Sequence, residues 1–80
     1  MKPVSSFVKH CCLLARNARF PACELYLAYV HFCLQNGVAV QDQFSFLEMI
    51  ERYGPKYYRK RKGSLMRGIS VLPEYRVEPE

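Results

Sequence analysis

The amino-acid sequence predicts an α+β domain in which three helices precede a β-hairpin. Apolar residues recur at helical spacing up to residue 53 and alternate as in strands from residue 57, and Gly or Pro stands where the spacing changes. The chain has 80 residues, of which 50% are apolar, and this is enough for one small core. We therefore expect one domain at residues 1–72 and a loose polar tail at residues 73–80.

The first helix is expected to begin near Phe7, because Ser5 or Ser6 can cap its amino terminus. Its pattern of apolar residues ends at Asn17. The apolar face would consist of Phe7, Cys11 and Leu14.

The second helix is expected over about residues 22–36. Pro21 suits the first turn of this helix, and Asn36-Gly37 is a strong signal for its end. Residues 38–40 are short and apolar, which suits a connector or a small strand. The apolar face of this helix would consist of Leu25, Tyr29, Phe32 and Cys33.

The third helix is expected to run from a cap at Asp42 to Tyr53, where Gly54-Pro55 ends it. Its helical spacing assigns one set of side chains to the core and another to solvent. The inward set is Phe46, Met49, Ile50 and Tyr53, and the outward set is Gln43, Leu47, Glu48, Glu51 and Arg52.

The hairpin is expected to pair residues 57–61 with residues 65–72 through a turn at Lys62-Gly63-Ser64. Helices followed by such a hairpin are the plan of a winged helix-turn-helix domain, in which the hairpin is the wing and the third helix usually enters a DNA groove. The sequence therefore predicts a winged helix-turn-helix fold.

Charge is strongly segregated along the chain. Residues 1–20 carry a net charge of +4, residues 21–55 carry −3, residues 56–72 carry +6 and residues 73–80 carry −2. A basic hairpin can bind phosphates by releasing condensed counterions, and Arg can also bind guanine edges. The predicted DNA contacts are Lys56, Arg59, Lys60, Arg61, Lys62 and Arg67 of the hairpin, with Gln41, Gln43 and Ser45 at the start of the third helix.

Several alternatives remain open at this point. The basic tip also suits a solvated turn or a nuclear-localisation signal, and Tyr57 and Tyr58 suit either stacking on single-stranded bases or ordinary packing in the sheet. The carboxylates of the third helix repel phosphates, so the helix either packs without contacting DNA or approaches it only with its first residues. An acidic third helix with Leu47 exposed would also suit a surface that binds another protein.

The sequence gives little support to catalysis or metal binding. It contains no glycine-rich phosphate loop. Neither the four cysteines nor the two histidines are paired at the spacing of a zinc site. Cys11 and Cys33 are expected to be small buried apolar residues, and adjacent Cys11-Cys12 favours a reduced, intracellular protein over a secreted disulfide frame. We therefore expect a binding module without cofactor, metal or small-molecule substrate, and without a transmembrane helix.

The chain resembles the carboxy-terminal winged-helix domain of phage-, plasmid- and poxvirus-type helicase–primases. The resemblance covers roughly residues 5–72. The same region of the chain is similar in outline to the DNA-binding domain of regulatory factor X proteins. The resemblance rests on spaced apolar residues and on the basic run before Gly63 and Gly68-Ile69. The residues that carry it are Phe7 to Cys12, Glu24-Leu25-Tyr26, Tyr29, Phe32-Cys33, Gly37, Phe46, Ile50, Gly54, Arg59 to Gly63, and Gly68-Ile69.

This resemblance implies DNA replication as the biological setting. The partners it implies are duplex or forked DNA and other domains of a helicase–primase, whose ATPase and helicase activities would lie outside these 80 residues. The regulatory factor X family implies that the wing makes much of the groove contact. The implied compartment is the cytoplasm of a bacterium or of a phage-infected cell, or the nucleus of a eukaryote.

Overall fold

The computed structural model describes residues 3–60 and 63–76, with the backbone alone for Pro3 and Lys60. Three α-helices and one three-stranded antiparallel sheet make up these ranges, so the predicted α+β class is confirmed. The strand order is β1-β3-β2, an arrangement compatible with a winged-helix-like fold. The elements are α1 (Pro3–Cys11), β1 (Cys12–Pro21), α2 (Ala22–Asn36), α3 (Gln43–Glu51), β2 (Lys56–Lys60) and β3 (Gly63–Val71), followed by a 3-10 turn (Pro73–Tyr75).

The first part of the chain differs from the prediction. α1 begins at Pro3, so the two serines lie inside the helix and do not cap it, and it ends at Cys11. Cys12 to Leu14 then pair with Ile69 to Val71 of β3. The spacing of Phe7, Cys11 and Leu14 fits a helix, but pairing with β3 satisfies backbone groups that a longer helix would leave unpaired along the edge of that strand.

α2 has the predicted bounds. Gly37 ends it in the left-handed conformation, with φ 65°, and its N–H points to the carbonyls of Cys33 and Leu34. Residues 38–40 form a connector without a strand. None of the helices in the described ranges is both long and apolar enough to cross a membrane.

α3 begins at the predicted cap. The Asp42 carboxylate accepts hydrogen bonds from the backbone N–H of Ser45 at 3.1 Å and from its hydroxyl at 2.8 Å. These bonds satisfy one of the N–H groups that the first turn of a helix leaves without a partner. The start of α3 is therefore fixed by its own sequence.

This cap should make stability depend on pH. The hydrogen bonds from Ser45, chiefly that of its backbone N–H, hold the pKa of Asp42 below its usual value. A lowered pKa means that the carboxylate stabilises the fold at neutral pH and that this contribution is lost as the pH falls through the native pKa. Asp42→Asn keeps a capping oxygen but does not titrate. We expect its melting temperature to fall less than that of the wild type between about pH 5 and pH 3. Parallel pH profiles for the two proteins would contradict this account.

The core is built around aromatic side chains from all three helices. The rings of Tyr29 and Phe46 stack with centroids 4.3 Å apart and an interplanar angle of 22°. Phe7 meets both rings edge-on, at 5.8 Å and 5.9 Å. These three side chains are fully buried, and together they fix how α1, α2 and α3 pack. The sheet adds Phe20, Met66, Ile69 and Val71 to the same core.

β1 contains a large irregularity. Leu14 pairs with Ile69 and Arg19 pairs with Arg67, so residues 15–18 lie opposite the single residue Gly68. Gly68 has φ 95°, a conformation that side chains with a Cβ rarely adopt. An added Cβ would also lie 3.4 Å from the Cα of Pro55. The bulge and the close approach of Pro55 therefore both depend on this glycine.

Gly68→Ala is expected to destabilise the fold by about 1–3 kcal/mol, because alanine is strained at this positive φ. Urea unfolding followed by circular dichroism would measure the shift in midpoint. Gly37→Asn is the matched control, because φ 65° and ψ 30° lie in the left-handed region that asparagine tolerates and nothing lies within 4 Å of the added Cβ. Equal midpoints for the two variants would show that the backbone at residue 68 is not strained by a side chain.

The segment after β3 is held to the sheet as far as Arg76. Its Nε donates to the carbonyl of Val71 at 2.9 Å, and its guanidinium carbon lies 5.5 Å from the centre of the Phe20 ring. The 3-10 turn and Arg76 thus depart from the expected loose tail. The remainder of that tail, residues 77–80, lies outside the described residues.

Candidate nucleic-acid interface

The hairpin β2–β3 forms with strand bounds shifted by one or two residues from the prediction. The expected turn differs, because Gly63 and Ser64 lie in β3 and pair with Lys60 and Arg59, while Lys62 lies outside the described residues. The register of the hairpin pairs Lys56 with Arg67, Tyr57 with Met66 and Tyr58 with Leu65. Directly paired residues of an antiparallel sheet lie on the same face, and successive residues alternate between faces. The buried Met66 therefore marks the face that packs on the helices, and Arg67 lies on the opposite face.

A row of three cations crosses this outer face. Arg67 of β3 is paired with Lys56 of β2 on one side and with Arg19 of β1 on the other. All three side chains are exposed. Strands lie about 4.8 Å apart, so the three Cα atoms span about 10 Å, or roughly three base pairs along a duplex axis. We call Arg19, Lys56 and Arg67 the cation row.

An aromatic ring supports the centre of the cation row. The guanidinium carbon of Arg67 lies 5.3 Å from the centre of the Tyr58 ring, and Tyr58 is 43% exposed. Such a contact contributes about 0.5–1 kcal/mol at an exposed site. It also limits the directions in which the guanidinium can point, so Arg67 is partly oriented before any ligand binds.

The charged side chains of the three strands are all positive. The three strands contain six Lys or Arg residues and no Asp or Glu, whereas α3 contains two glutamates and no cation. Like charges directly opposite each other in a sheet destabilise it. The cation row therefore costs stability in the free protein, and an anionic ligand would relieve that cost.

The other predicted hairpin residues do not all join this row. Arg59 pairs with Ser64, so it lies on the same face of β2 as Tyr57, which is the face opposite Lys56. Lys60 ends β2 opposite Gly63, and its side chain is not described. Arg61 and Lys62 lie outside the described residues.

The predicted contacts at the start of α3 have structural partners. The carbonyl of Gln41 accepts from the Tyr26 hydroxyl at 2.8 Å, and its N–H donates to the Tyr29 hydroxyl at 3.2 Å. Ser45 is engaged in the cap with Asp42. Gln43 is exposed, but it lines a groove between α3 and β2 that also contains two glutamates. The three residues are thus separate from the cation row.

Arg19 is the member of the row that sequence reasoning missed. Its charge is counted above within residues 1–20, and its position follows the expected end of the first helix at Asn17, whereas the structure places it in β1. The sequence near Arg19 shows polar–apolar alternation only at Arg19 and Phe20, which are exposed and buried in the structure. Two residues are too few to establish the alternation that indicates a strand. Its register with Arg67 depends on the bulge at residues 15–18, which no sequence pattern indicated.

The cysteines form no reactive cluster within the described ranges. Cys11 and Cys33 are buried as predicted. Burial, with a smaller contribution from the neighbouring Cys11, raises the pKa of Cys12 to about 12, so its thiol stays protonated near neutral pH. The described residues contain no group of three or more His, Cys, Asp or Glu side chains placed to hold a metal ion. The chemistry offered by the sheet is binding of anions by exposed cations.

No protein-family model and no curated protein matches this chain. The interpretation of the interface therefore rests on the residues of this chain and on the geometry described above.

Proposed function

We propose that this chain is a winged-helix module that binds DNA, with β2–β3 as the wing. The element order α1-β1-α2-α3-β2-β3 and the sheet order β1-β3-β2 support the winged-helix assignment. β1, which lies between α1 and α2 in the chain, pairs with β3 of the hairpin. This strand contributes the third cation of the row, so the proposed contact surface extends beyond the wing itself.

The cation row is the observation that carries the proposal. Three exposed cations on three adjacent strands form a positive surface about 10 Å long, with no acidic residue in the strands. A duplex presents one phosphate charge per about 1.7 Å of its axis, so several phosphates fall within the length of the row. Contact with phosphates gives affinity without sequence readout, so we expect binding with little sequence preference.

The composition of α3 supports a contact centred on the wing and sheet. Glu48 and Glu51 are exposed on this helix and would repel phosphates brought close to it. A helix that enters a major groove normally presents donors and cations to the base edges. We therefore propose that DNA lies against the outer face of the sheet and the hairpin tip, and that α3 stays away from the groove.

The biological setting follows from the resemblance described at the start. A helicase–primase would use such a module to hold duplex or forked DNA beside its ATPase, and the other domains of that enzyme would be further partners. A regulatory factor X-like role in transcription is the corresponding alternative for a stand-alone module. Both roles require DNA binding by the same basic hairpin, so one DNA-binding experiment tests both.

Titration of labelled duplex, forked and single-stranded DNA by fluorescence anisotropy tests the proposal. Binding to duplex should weaken steeply with salt, with a slope of about −0.9 in log affinity against log salt for each phosphate contacted. Substitution of Arg59, Lys60, Arg61 and Lys62 by alanine removes the charges near the hairpin tip and should weaken binding while it leaves the helical circular dichroism unchanged. A slope near zero, or unchanged binding by this folded variant, would contradict the proposal.

A further inference from the structure

A second exposed surface lies on the helical side of the hairpin. α3 and β2 border an open groove of about 630 Å³. Tyr57 of β2 lines this groove, and its neighbour Lys56 lies on the other face of the strand. The groove and the cation row therefore face away from each other. The residues that line it are Gln43, Phe44, Leu47, Glu48, Glu51 and Tyr57.

The groove has an apolar centre. Phe44 is 76% exposed, the highest value among the large apolar residues that the structure describes. Leu47, expected above to be exposed, is only 9% exposed and lies beneath it, one helical turn along α3. Tyr57 is 38% exposed, and its hydroxyl is hydrogen-bonded to the Ser64 hydroxyl at 2.6 Å, which holds the ring at the side of the groove. Phe44, Leu47 and Tyr57 line the same groove, and contiguous apolar patches of this kind mark contact surfaces.

The rim of the groove is acidic. Glu48 and Glu51 line it together with Phe44 and Leu47. These four residues have the spacing i, i+3, i+4 and i+7, so they form one stripe along α3, beside the face whose Phe46 and Ile50 are buried in the core. A segment that fills the groove must place apolar side chains against Phe44 and Leu47. The carboxylates of the groove then lie beside that segment.

We propose that this groove binds a basic amphipathic helix of a partner protein. Its apolar side chains, one helical turn apart, would contact Phe44, Leu47 and Tyr57, and its Lys or Arg side chains would pair with Glu48 and Glu51. Charge complementarity selects a cationic partner and disfavours DNA in this groove. A cationic strand paired with β2 is disfavoured as well, because Lys56 and Arg59 on β2 would lie beside its charges.

The orientation of the two surfaces has a direct consequence for assembly. Because the groove and the cation row lie on opposite faces of β2, the partner helix and DNA can bind at the same time. The protein-binding alternative drawn from the sequence and the DNA-binding proposal therefore concern different surfaces of one module, and failure of either leaves the other standing.

The test uses the full chain and two labelled helical peptides of about four turns. Both carry leucines at i, i+3, i+4 and i+7 spacing; one has lysine on its flanks and the other has glutamate at the same positions. We expect the lysine peptide to bind at low salt and the glutamate peptide to bind at least about tenfold more weakly, because like charges across the contact disfavour binding. Phe44→Ala should weaken binding of the lysine peptide about tenfold or more. Glu48→Gln with Glu51→Gln should weaken it similarly and reduce its salt dependence.

Two matched controls remove an exposed apolar side chain and an exposed carboxylate outside the groove. Leu34→Ala deletes a side chain that is 70% exposed on α2, and Glu74→Gln neutralises an exposed carboxylate in the 3-10 turn. Both should bind the lysine peptide as the wild type does. Equal affinities for the two peptides, or equal affinities of wild type and the Phe44→Ala protein, would overturn the proposal. A dimer in sedimentation velocity that Phe44→Ala disrupts would instead assign the groove to a second copy of the chain, and this would overturn the assignment to a partner protein.

Discussion

Replacing Arg19, Lys56 and Arg67 together with glutamine is expected to weaken binding to duplex DNA by about 100-fold or more at about 0.1 M salt. Each cation that neutralises a phosphate contributes about 0.9 to the slope of log affinity against log salt, so the slope should fall by about 2.7 if all three side chains contact phosphates. The anisotropy titration described for the wild type, repeated at several salt concentrations, measures both quantities.

The same triple variant should be as stable as the wild type. Removing the charges relieves repulsion between directly paired cations, a term of about 0.2–1 kcal/mol for each pair. It also removes the contact between Arg67 and the Tyr58 ring, which is of similar size and opposite sign. The net change should therefore be small, and lost affinity cannot be attributed to unfolding.

Arg52→Gln is the matched control for Arg67→Gln. Arg52 is exposed at the end of α3, outside the three strands that carry the row, and its removal changes the net charge equally. We expect Arg67→Gln to weaken binding several-fold more than Arg52→Gln. Equal effects would mean that net charge alone sets the affinity, and the cation row would then have no particular role.

Phe46→Ala is expected to destabilise the domain by about 3–5 kcal/mol. The side chain is fully buried and stacks on Tyr29 at 4.3 Å, so truncation leaves a cavity where the three helices meet. A domain of this size has a free energy of unfolding of about 4–12 kcal/mol, so the loss is a large part of the total. Urea unfolding should show a much lower midpoint at room temperature, or a protein already largely unfolded without urea.

Phe44→Ala provides the comparison on the same helix. Phe44 lies two residues before Phe46 and is 76% exposed, so its removal should change the free energy of unfolding by less than about 0.5 kcal/mol. The pair of variants separates the core-facing side of α3 from the side that borders the groove. A similar loss for both would contradict the assignment of the two faces.

The elements with strong local signals were predictable. α2 has a long apolar stripe and a glycine stop, α3 has an Asp cap, and the hairpin has alternating residues on both sides of a basic run. Their bounds agree with the prediction to within about two residues; the largest differences include the end of α3, which lies at Glu51 and not at Tyr53. These signals are local, so they are visible in the sequence.

The features that depend on distant pairing were not predictable. Cys12 to Leu14 continue a helical spacing, and only the free edge of β3 makes them a strand. The exposure of Phe44 and the burial of Leu47 depend on where β2 passes α3, which the periodicity of α3 alone does not determine. The cation row requires three strands in register and a bulge, so its membership could be seen only in the fold.

The bulge in β1 also bears on solubility. β1 lies at one edge of the sheet and carries Leu13 and Leu14, which are 54% and 48% exposed. A long, flat and apolar edge strand is a template for aggregation. Because residues 15–18 leave the regular pairing, the ladder is divided into two stretches of three residues each, Cys12 to Leu14 and Arg19 to Pro21. Neither stretch is long enough to recruit another chain efficiently, so the irregularity that aligns Arg19 with Arg67 also protects the edge.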